Sequence, residues 1–198
     1  MNYLAHAYLS FHEPEITVGN VISDFVKGKK KIDFSPGIQN GIALHRAIDE
    51  FTDTHETTIA AKQFFRSHYR LYAAAFIDIV YDHFLANDTN EFASLPSLHV
   101  FSQETYQVLG KYEAVFPVSF LMMFPFMQQH NWLYNYHLAE GIRKSFGGLV
   151  RRARYMDDPG PAFHIFEKNY LALKQSYDHF FPSLKHFAAQ QLELLKTT

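Results

Sequence analysis

A histidine and an aspartate one helical turn apart are the first residues in this sequence that could carry out chemistry. His45 and Asp49 lie in the segment GIALHRAIDEFTDTH, and on a helix they share the stripe that carries Ile42 and Ile48. A carboxylate on an apolar face is costly unless it is paired or binds a metal ion. The pair is therefore compatible with two structures, a buried ion pair without metal or one arm of a divalent-metal site.

Two further aspartates also lie on an apolar stripe. Asp78 and Asp82 are one turn apart in the predicted helix 69–86, and His83 follows them directly. Two neighbouring carboxylates repel each other, and a divalent cation stabilises them by binding both. The alternative is that one of them caps a neighbouring helix or pairs with Arg46.

Two more candidates precede these helices. His6 lies in a short apolar segment, where a core histidine is the alternative, and Asp24 lies in VGNVISDFV, where a cap or a buried hydrogen bond is the alternative. Without cysteine, histidine and aspartate form a ligand set that suits Mn²⁺, Mg²⁺ or Fe²⁺. Sites of this kind commonly hydrolyse phosphoesters, because the metal supplies hydroxide near neutral pH and screens the phosphoryl oxygens. The candidate ligands are His6, Asp24, His45, Asp49, Asp78 and Asp82.

The elements that must position these residues are predicted to be helical. Apolar residues recur at helical spacing along the chain, and no hairpin signal separates two alternating runs. We therefore predict an all-α fold in which residues 1–198 form a single domain. Gly147 and Gly148 are predicted to end a helix. The predicted helices are 2–10, 17–26, 36–52, 57–65, 69–86, 98–115, 117–129, 132–146, 149–156, 162–180 and 184–195.

Composition and charge exclude several classes of protein. The 198 residues contain 18 Lys and Arg against 20 Asp and Glu, so the net charge of −2 argues against a polycation built to bind nucleic acid. Zero Cys excludes disulfides, thiolate zinc sites and cysteine nucleophiles. The most apolar window, residues 115–127, contains two prolines and is shorter than the roughly 20 residues that cross a bilayer. We expect a cytoplasmic protein without a nucleic-acid or membrane partner.

The segments that carry these candidates resemble the acyl carrier protein phosphodiesterase family. MNYLAHAYLS, VGNVISDFVKG, GIALHRAIDEFTD and FIDIVYDHFLA occur in the family's order and spacing, and WLYNYHLAEGIRKSFGGLVRRA is similar to its C-terminal half. The resemblance implies a helical fold related to HD-domain phosphohydrolases. It also implies hydrolysis of the phosphodiester that joins 4′-phosphopantetheine to a serine of holo acyl carrier protein, with Mn²⁺ as the usual cofactor and Mg²⁺ as a possible one.

The resemblance also assigns roles to individual residues. Four residues at the family's motif positions are implied as ligands, and His6 and Asp82 are expected in the coordination shell or beside it. Arg46 and His83 are predicted to contact the phosphate or to protonate the leaving serine oxygen. The four implied ligands are Asp24, His45, Asp49 and Asp78.

Acyl carrier proteins are acidic, so a hydrolase that acts on them should carry a local basic surface. A lysine run follows Asp24 directly, and five basic residues lie between Gly141 and Tyr155. We predict that the lysine run binds the carrier protein, although either run could be a solvated face. The predicted docking residues are Lys27, Lys29, Lys30 and Lys31.

Two other functions stay open. One is hydrolysis of a small phosphorylated metabolite or nucleotide, and the other is that of a binding protein whose buried His/Asp network has no metal.

Overall fold

A computed structural model describes residues 1–152 and 160–197 of the chain. This part is all-α and contains no strand, which confirms the predicted fold class. Within it, no helix is both long and apolar enough to cross a membrane. The helices are α1 (Tyr3–Tyr8), α2 (Pro14–Ile22), α3 (Pro36–Thr54), α4 (Glu56–Tyr69), α5 (Ala73–Ala86), α6 (Leu95–Gly110), α7 (Val118–Gln129), α8 (Trp132–Asn135), α9 (Ala139–Arg152), α10 (Gly160–Lys168) and α11 (Tyr170–Lys196).

Short 3₁₀ turns connect several of these helices. The two that bear on function follow α2 in sequence and cover Ser23–Phe25 and Gly28–Asp33. α3 begins as its sequence predicts, because the Ser35 hydroxyl accepts a hydrogen bond from the amide of Ile38 and Pro36 occupies the first turn. The first turn of α2 likewise contains a proline, Pro14.

The structure is helical across two breaks that the sequence predicted between helices. α9 continues through Gly147 and Gly148, where its apolar stripe buries Phe146 and Val150. α11 continues through residues 180–184 with Pro182 in its interior. In both cases the packing of buried side chains on the core outweighs the local preference, which is about 1 kcal/mol for a glycine. The predicted helix 149–156 extends into residues 153–159, which lie outside the described part of the chain.

The backbones of α2 and α3 approach each other closely at two glycines. A Cβ atom on Gly19 would lie 2.1 Å from the carbonyl oxygen of Ile38, and one on Gly41 would lie 2.4 Å from that of Ile16. Only glycine therefore fits at both positions of this crossing. The contact sets the distance between α3 and the segment that continues from α2 into the turn Ser23–Phe25.

We predict that Gly19→Ala lowers the free energy of unfolding by about 1–3 kcal/mol, because the added methyl group forces the two helices apart. Urea denaturation measures this change. Gly110→Ala is the matched control: a Cβ there meets only Glu113 Oε1 at 3.9 Å, so this variant should be neutral or slightly more stable. Equal stability of the Gly19→Ala variant and the unmodified chain would contradict the role of the crossing.

Candidate metal centre

Three segments bring four of the predicted ligands together. His6 comes from α1, Asp24 from the turn Ser23–Phe25, and His45 and Asp49 from adjacent turns of α3. Asp49 Oδ1 lies 3.2 Å from His6 Nε2, and Asp49 Oδ2 lies 3.0 Å from His45 Nε2. Asp24 Oδ1 approaches His45 Nε2 from another direction at 3.2 Å. The two imidazole rings stack with their centroids 3.9 Å apart.

Both histidines are buried, whereas the carboxylates face solvent. The side chain of Asp49 is 41% exposed and that of Asp24 is 68% exposed, while the two imidazoles are almost fully covered. One ligand atom from each of His6, His45 and Asp49 can be chosen so that all three lie within 4.8 Å of one another. These three residues, called the His/Asp cluster below, could bind a divalent metal, and the Asp49 carboxylate is the member that solvent reaches.

Asn20 fixes the orientation of both imidazoles. Its Oδ1 lies 2.8 Å from His6 Nδ1, and its Nδ2 donates hydrogen bonds to the carbonyl of His6 and to the hydroxyl of Ser10. Its backbone carbonyl lies 2.7 Å from His45 Nδ1. Both oxygens are acceptors only, so each Nδ1 must carry the proton. The lone pair of a neutral imidazole then lies on Nε2, which in both residues faces Asp49.

The Nε2 atom of His6 supports a metal ion at this position. It is buried and makes no hydrogen bond in the described structure, because Asp49 Oδ1 lies nearby but outside hydrogen-bond geometry. A lone pair on this nitrogen and a carboxylate oxygen repel each other at that distance. A divalent cation between the two atoms would satisfy both, and an N/O donor set of this type suits such an ion.

Electrostatics in the cluster favour a cation. Burial opposes a charge on His45, but hydrogen bonds with Asp24 and Asp49 outweigh it and raise the pKa of this histidine to about 9. Burial and the neighbouring His45 lower the pKa of His6 to about 4. Although burial opposes ionisation of Asp49, the hydrogen bond with His45 and the nearby His6 and Met1 ammonium hold its pKa well below the usual range. A metal ion and the His45 proton would therefore compete for the same lone pair.

Asp78 lies beside the cluster and is connected to it by a buried cation. The Met1 ammonium lies 2.9 Å from Asp78 Oδ1 and 3.6 Å from Asp49 Oδ1. Burial opposes this charge, but Asp78 and Asp49 outweigh burial and raise the pKa of the amino group to about 10. Burial raises the pKa of Asp78 to about 6. The ammonium thus occupies the side of Asp49 that faces α5.

Asp82 caps α1, which is one of the alternatives that the sequence left open. Its two oxygens accept hydrogen bonds from the backbone amides of Asn2 at 3.1 Å and Leu4 at 2.7 Å. The carboxyl group is fully buried, and burial raises its pKa to about 7. Anions stabilise helix N-termini in this way, so Asp82 positions the helix that carries His6.

The two predicted catalytic residues lie in different surroundings. Arg46 is exposed on α3, next to His45 in the sequence. His83 is buried on α5, where its Nδ1 lies 2.7 Å from the carbonyl of Tyr136 and its ring packs against Phe166. Burial lowers its pKa. These contacts involve none of the predicted ligands, and the catalytic role of His83 stays a prediction.

The predicted docking lysines follow the turn that carries Asp24. Lys27 and Lys30 are exposed and Lys31 is half-buried, while the side chain of Lys29 lies outside the described part of the structure. In the second basic run, Arg143 lies over the ring of Phe163 at 3.9 Å. The side chain of Arg152 and all of Arg154 lie outside the described residues. Lys27 and Lys30 are thus exposed within six residues of Asp24, and their docking role stays a prediction.

Sequence reasoning missed Asn20 and the Met1 amino group. Asn20 is fully buried in α2. The signal was present, since a buried amide must find hydrogen-bond partners just as a buried carboxylate must. An amino terminus gives no such signal, because no pattern in the sequence shows where it will pack.

Taken together, the fold and the cluster define an all-helical protein with a candidate divalent-metal centre. The chain belongs to the acyl carrier protein phosphodiesterase family, whose model matches residues 1–184. Two similar proteins that bear this name come from Photorhabdus laumondii (29% identity over 182 residues, 92% of each chain) and Salmonella paratyphi A (27% over 191 residues, 96% of this chain and 99% of that one). A third comes from Yersinia enterocolitica (28% over 184 residues, 93% and 95%). No solved structure matches the chain.

We predict that Asn20→Ala weakens Mn²⁺ binding about 10–100-fold, because His6 loses the hydrogen bond that fixes its Nε2 lone pair. Isothermal titration calorimetry with Mn²⁺ measures the affinity. Asn20→Asp keeps an acceptor oxygen for His6 Nδ1 and should retain more of the affinity than the alanine variant.

The matched control for this prediction is Thr52→Ala. Thr52 is also buried and polar, but its hydroxyl donates to the carbonyl of Ile48 and contacts neither histidine. This variant should lose some stability and keep its Mn²⁺ affinity. A folded Asn20→Ala variant that binds Mn²⁺ as tightly as the unmodified chain would contradict the role of Asn20.

Proposed function

We propose that this chain is a metal-dependent phosphodiesterase that hydrolyses the bond between 4′-phosphopantetheine and a serine of holo acyl carrier protein. The observation that carries the proposal is the buried, unpartnered Nε2 of His6 facing Asp49, in a chain of the acyl carrier protein phosphodiesterase family. In the reaction, a P–O bond forms from water and the P–O bond to serine breaks. One proton of the water passes to the serine oxygen, which leaves apo carrier protein and 4′-phosphopantetheine.

The proposed ligands are the His/Asp cluster and Asp24. The two histidines offer Nε2, and the carboxylates offer one oxygen each from the solvent side. We propose Mn²⁺ as the ion, with Mg²⁺ or Fe²⁺ as alternatives that this donor set also suits. Such an ion, when bound, lowers the pKa of water and screens the phosphoryl oxygens.

Other charged groups of the chain complete the proposed site. The Met1 ammonium neutralises Asp78, so that this carboxylate lies close to the cluster without adding a net negative charge. This matters because excess negative charge would repel a phosphodiester. Arg46, exposed next to His45, is the proposed contact for a phosphoryl oxygen. Lys27 and Lys30 are the proposed contacts for the acidic carrier protein.

A mass measurement tests this function. Holo acyl carrier protein is incubated with the purified chain and Mn²⁺, and the carrier protein is then analysed by intact mass spectrometry. We expect loss of the 4′-phosphopantetheine mass with Mn²⁺, and no loss with excess EDTA. Asp49→Asn should reduce the rate by about 100-fold or more, since this residue contacts both histidines.

Two controls make the test specific. Asp53→Asn changes an exposed aspartate one turn further along α3, which pairs with Lys62, and it should leave the rate unchanged. Bis(p-nitrophenyl) phosphate serves as a small phosphodiester. An unchanged carrier-protein mass with metal-dependent turnover of the small ester would replace the proposal with a small-molecule phosphoesterase. An unchanged mass without metal binding would favour a binding protein with a metal-free polar network.

A further inference from the structure

α7 exposes a stripe of apolar side chains to solvent. The helix Val118–Gln129 contains no charged residue, and one of its faces packs Phe120 and Phe124 into the core. On the opposite face four large apolar residues follow one another at helical spacing and are 41–73% exposed. We call these residues the α7 stripe: Val118, Leu121, Met122 and Phe126.

A stripe of this kind is unusual on a protein surface. Single exposed apolar residues are normal, but a contiguous row on one helix face marks a binding surface. A helix that is apolar all round is typical of a helix covered on every side. α7 is covered on one side only within the described part of the chain, which leaves the α7 stripe to be covered by another molecule.

Residues of α7 outside the stripe contact two segments of the candidate metal centre. The ring of Phe120 lies 5.3 Å from that of Phe25, which directly follows Asp24. Met123 Sδ lies 3.8 Å from the hydroxyl of Tyr3, in the helix that carries His6. α7 therefore packs against both segments that bring Asp24 and His6 to the cluster. The stripe itself lies within one helix diameter, about 10 Å, of these contacts.

A basic segment begins two residues after Phe25, the residue that Phe120 contacts. Lys27 and Lys30 are exposed and follow Phe25 by two and five residues. Ile32, in the same turn, is 72% exposed. Residues 27–33 contain four lysines against a single aspartate, Asp33. The surface around Phe25 thus combines exposed apolar groups with positive charge.

We propose that the α7 stripe is the apolar half of the surface on which the acyl carrier protein docks, with Lys27 and Lys30 as its charged half. The inference rests on the proposed function, and its support is charge complementarity between the lysines and an acidic partner. A second copy of this chain fits the surface less well, because two-fold symmetry would bring the two lysine runs towards each other. Apolar contacts at the centre and charges at the rim are the usual arrangement of such interfaces.

The test compares two substitutions of opposite charge at one exposed position. Met122→Asp places a negative charge in the stripe and should raise the KM for holo acyl carrier protein at least about tenfold, because it removes an apolar contact and repels an acidic protein. Met122→Lys should raise the KM less than Met122→Asp does. Hydrolysis of bis(p-nitrophenyl) phosphate by both variants should stay within about twofold of the unmodified chain.

Leu171→Asp is the matched control. Leu171 is 76% exposed on α11, close to the 70% of Met122, and neither of the two α7 contacts described above involves α11. The KM of the Leu171→Asp variant for the carrier protein should not change. If Met122→Asp and Leu171→Asp behave alike, or if Met122→Asp impairs both substrates equally, the docking surface is wrong while the proposed function stands. If the unmodified chain neither binds nor converts holo carrier protein, both proposals are wrong.

Discussion

The site depends on one close contact, the crossing of α2 and α3 at Gly19 and Gly41. The backbones touch there, and the next residue, Asn20, reaches both histidines through its side chain and its carbonyl group. Two consecutive residues of α2, Gly19 and Asn20, thus set the distance between the two helices and the tautomers of the imidazoles. A wider crossing would separate His45 from the carbonyl that holds its Nδ1, and the two Nε2 atoms would no longer face the same carboxylate.

Much of this arrangement could be predicted from the sequence, because it follows from local periodicity. His45 and Asp49 are one turn apart on a long, well-capped helix, and in the structure they contact each other as the spacing predicts. The all-α fold follows from the same periodicity. Periodicity alone does not predict the positions of His6 and Asp24, because the elements that carry them are short. The residue types made them candidates, and the family resemblance of their segments supported a place near α3.

The alternatives that the sequence left open, the omissions and the wrongly predicted helix breaks have a common physical cause, which is tertiary packing. Asp82 lies on the same stripe as Asp78, yet it caps α1, because the first turn of that helix packs against it. His83 follows them in sequence but faces other helices. The continuous helix through Gly147 and Gly148 likewise reflects buried side chains that local propensity does not describe.

The most direct test of the central claim is an anomalous-scattering measurement on crystals of the chain grown with Mn²⁺. The account predicts a single strong anomalous peak within bonding distance of His6 Nε2, His45 Nε2 and an oxygen of Asp49, and no such peak in Asp49→Asn crystals. A peak held by other residues, or no peak at these three atoms in crystals that contain Mn²⁺, would contradict it.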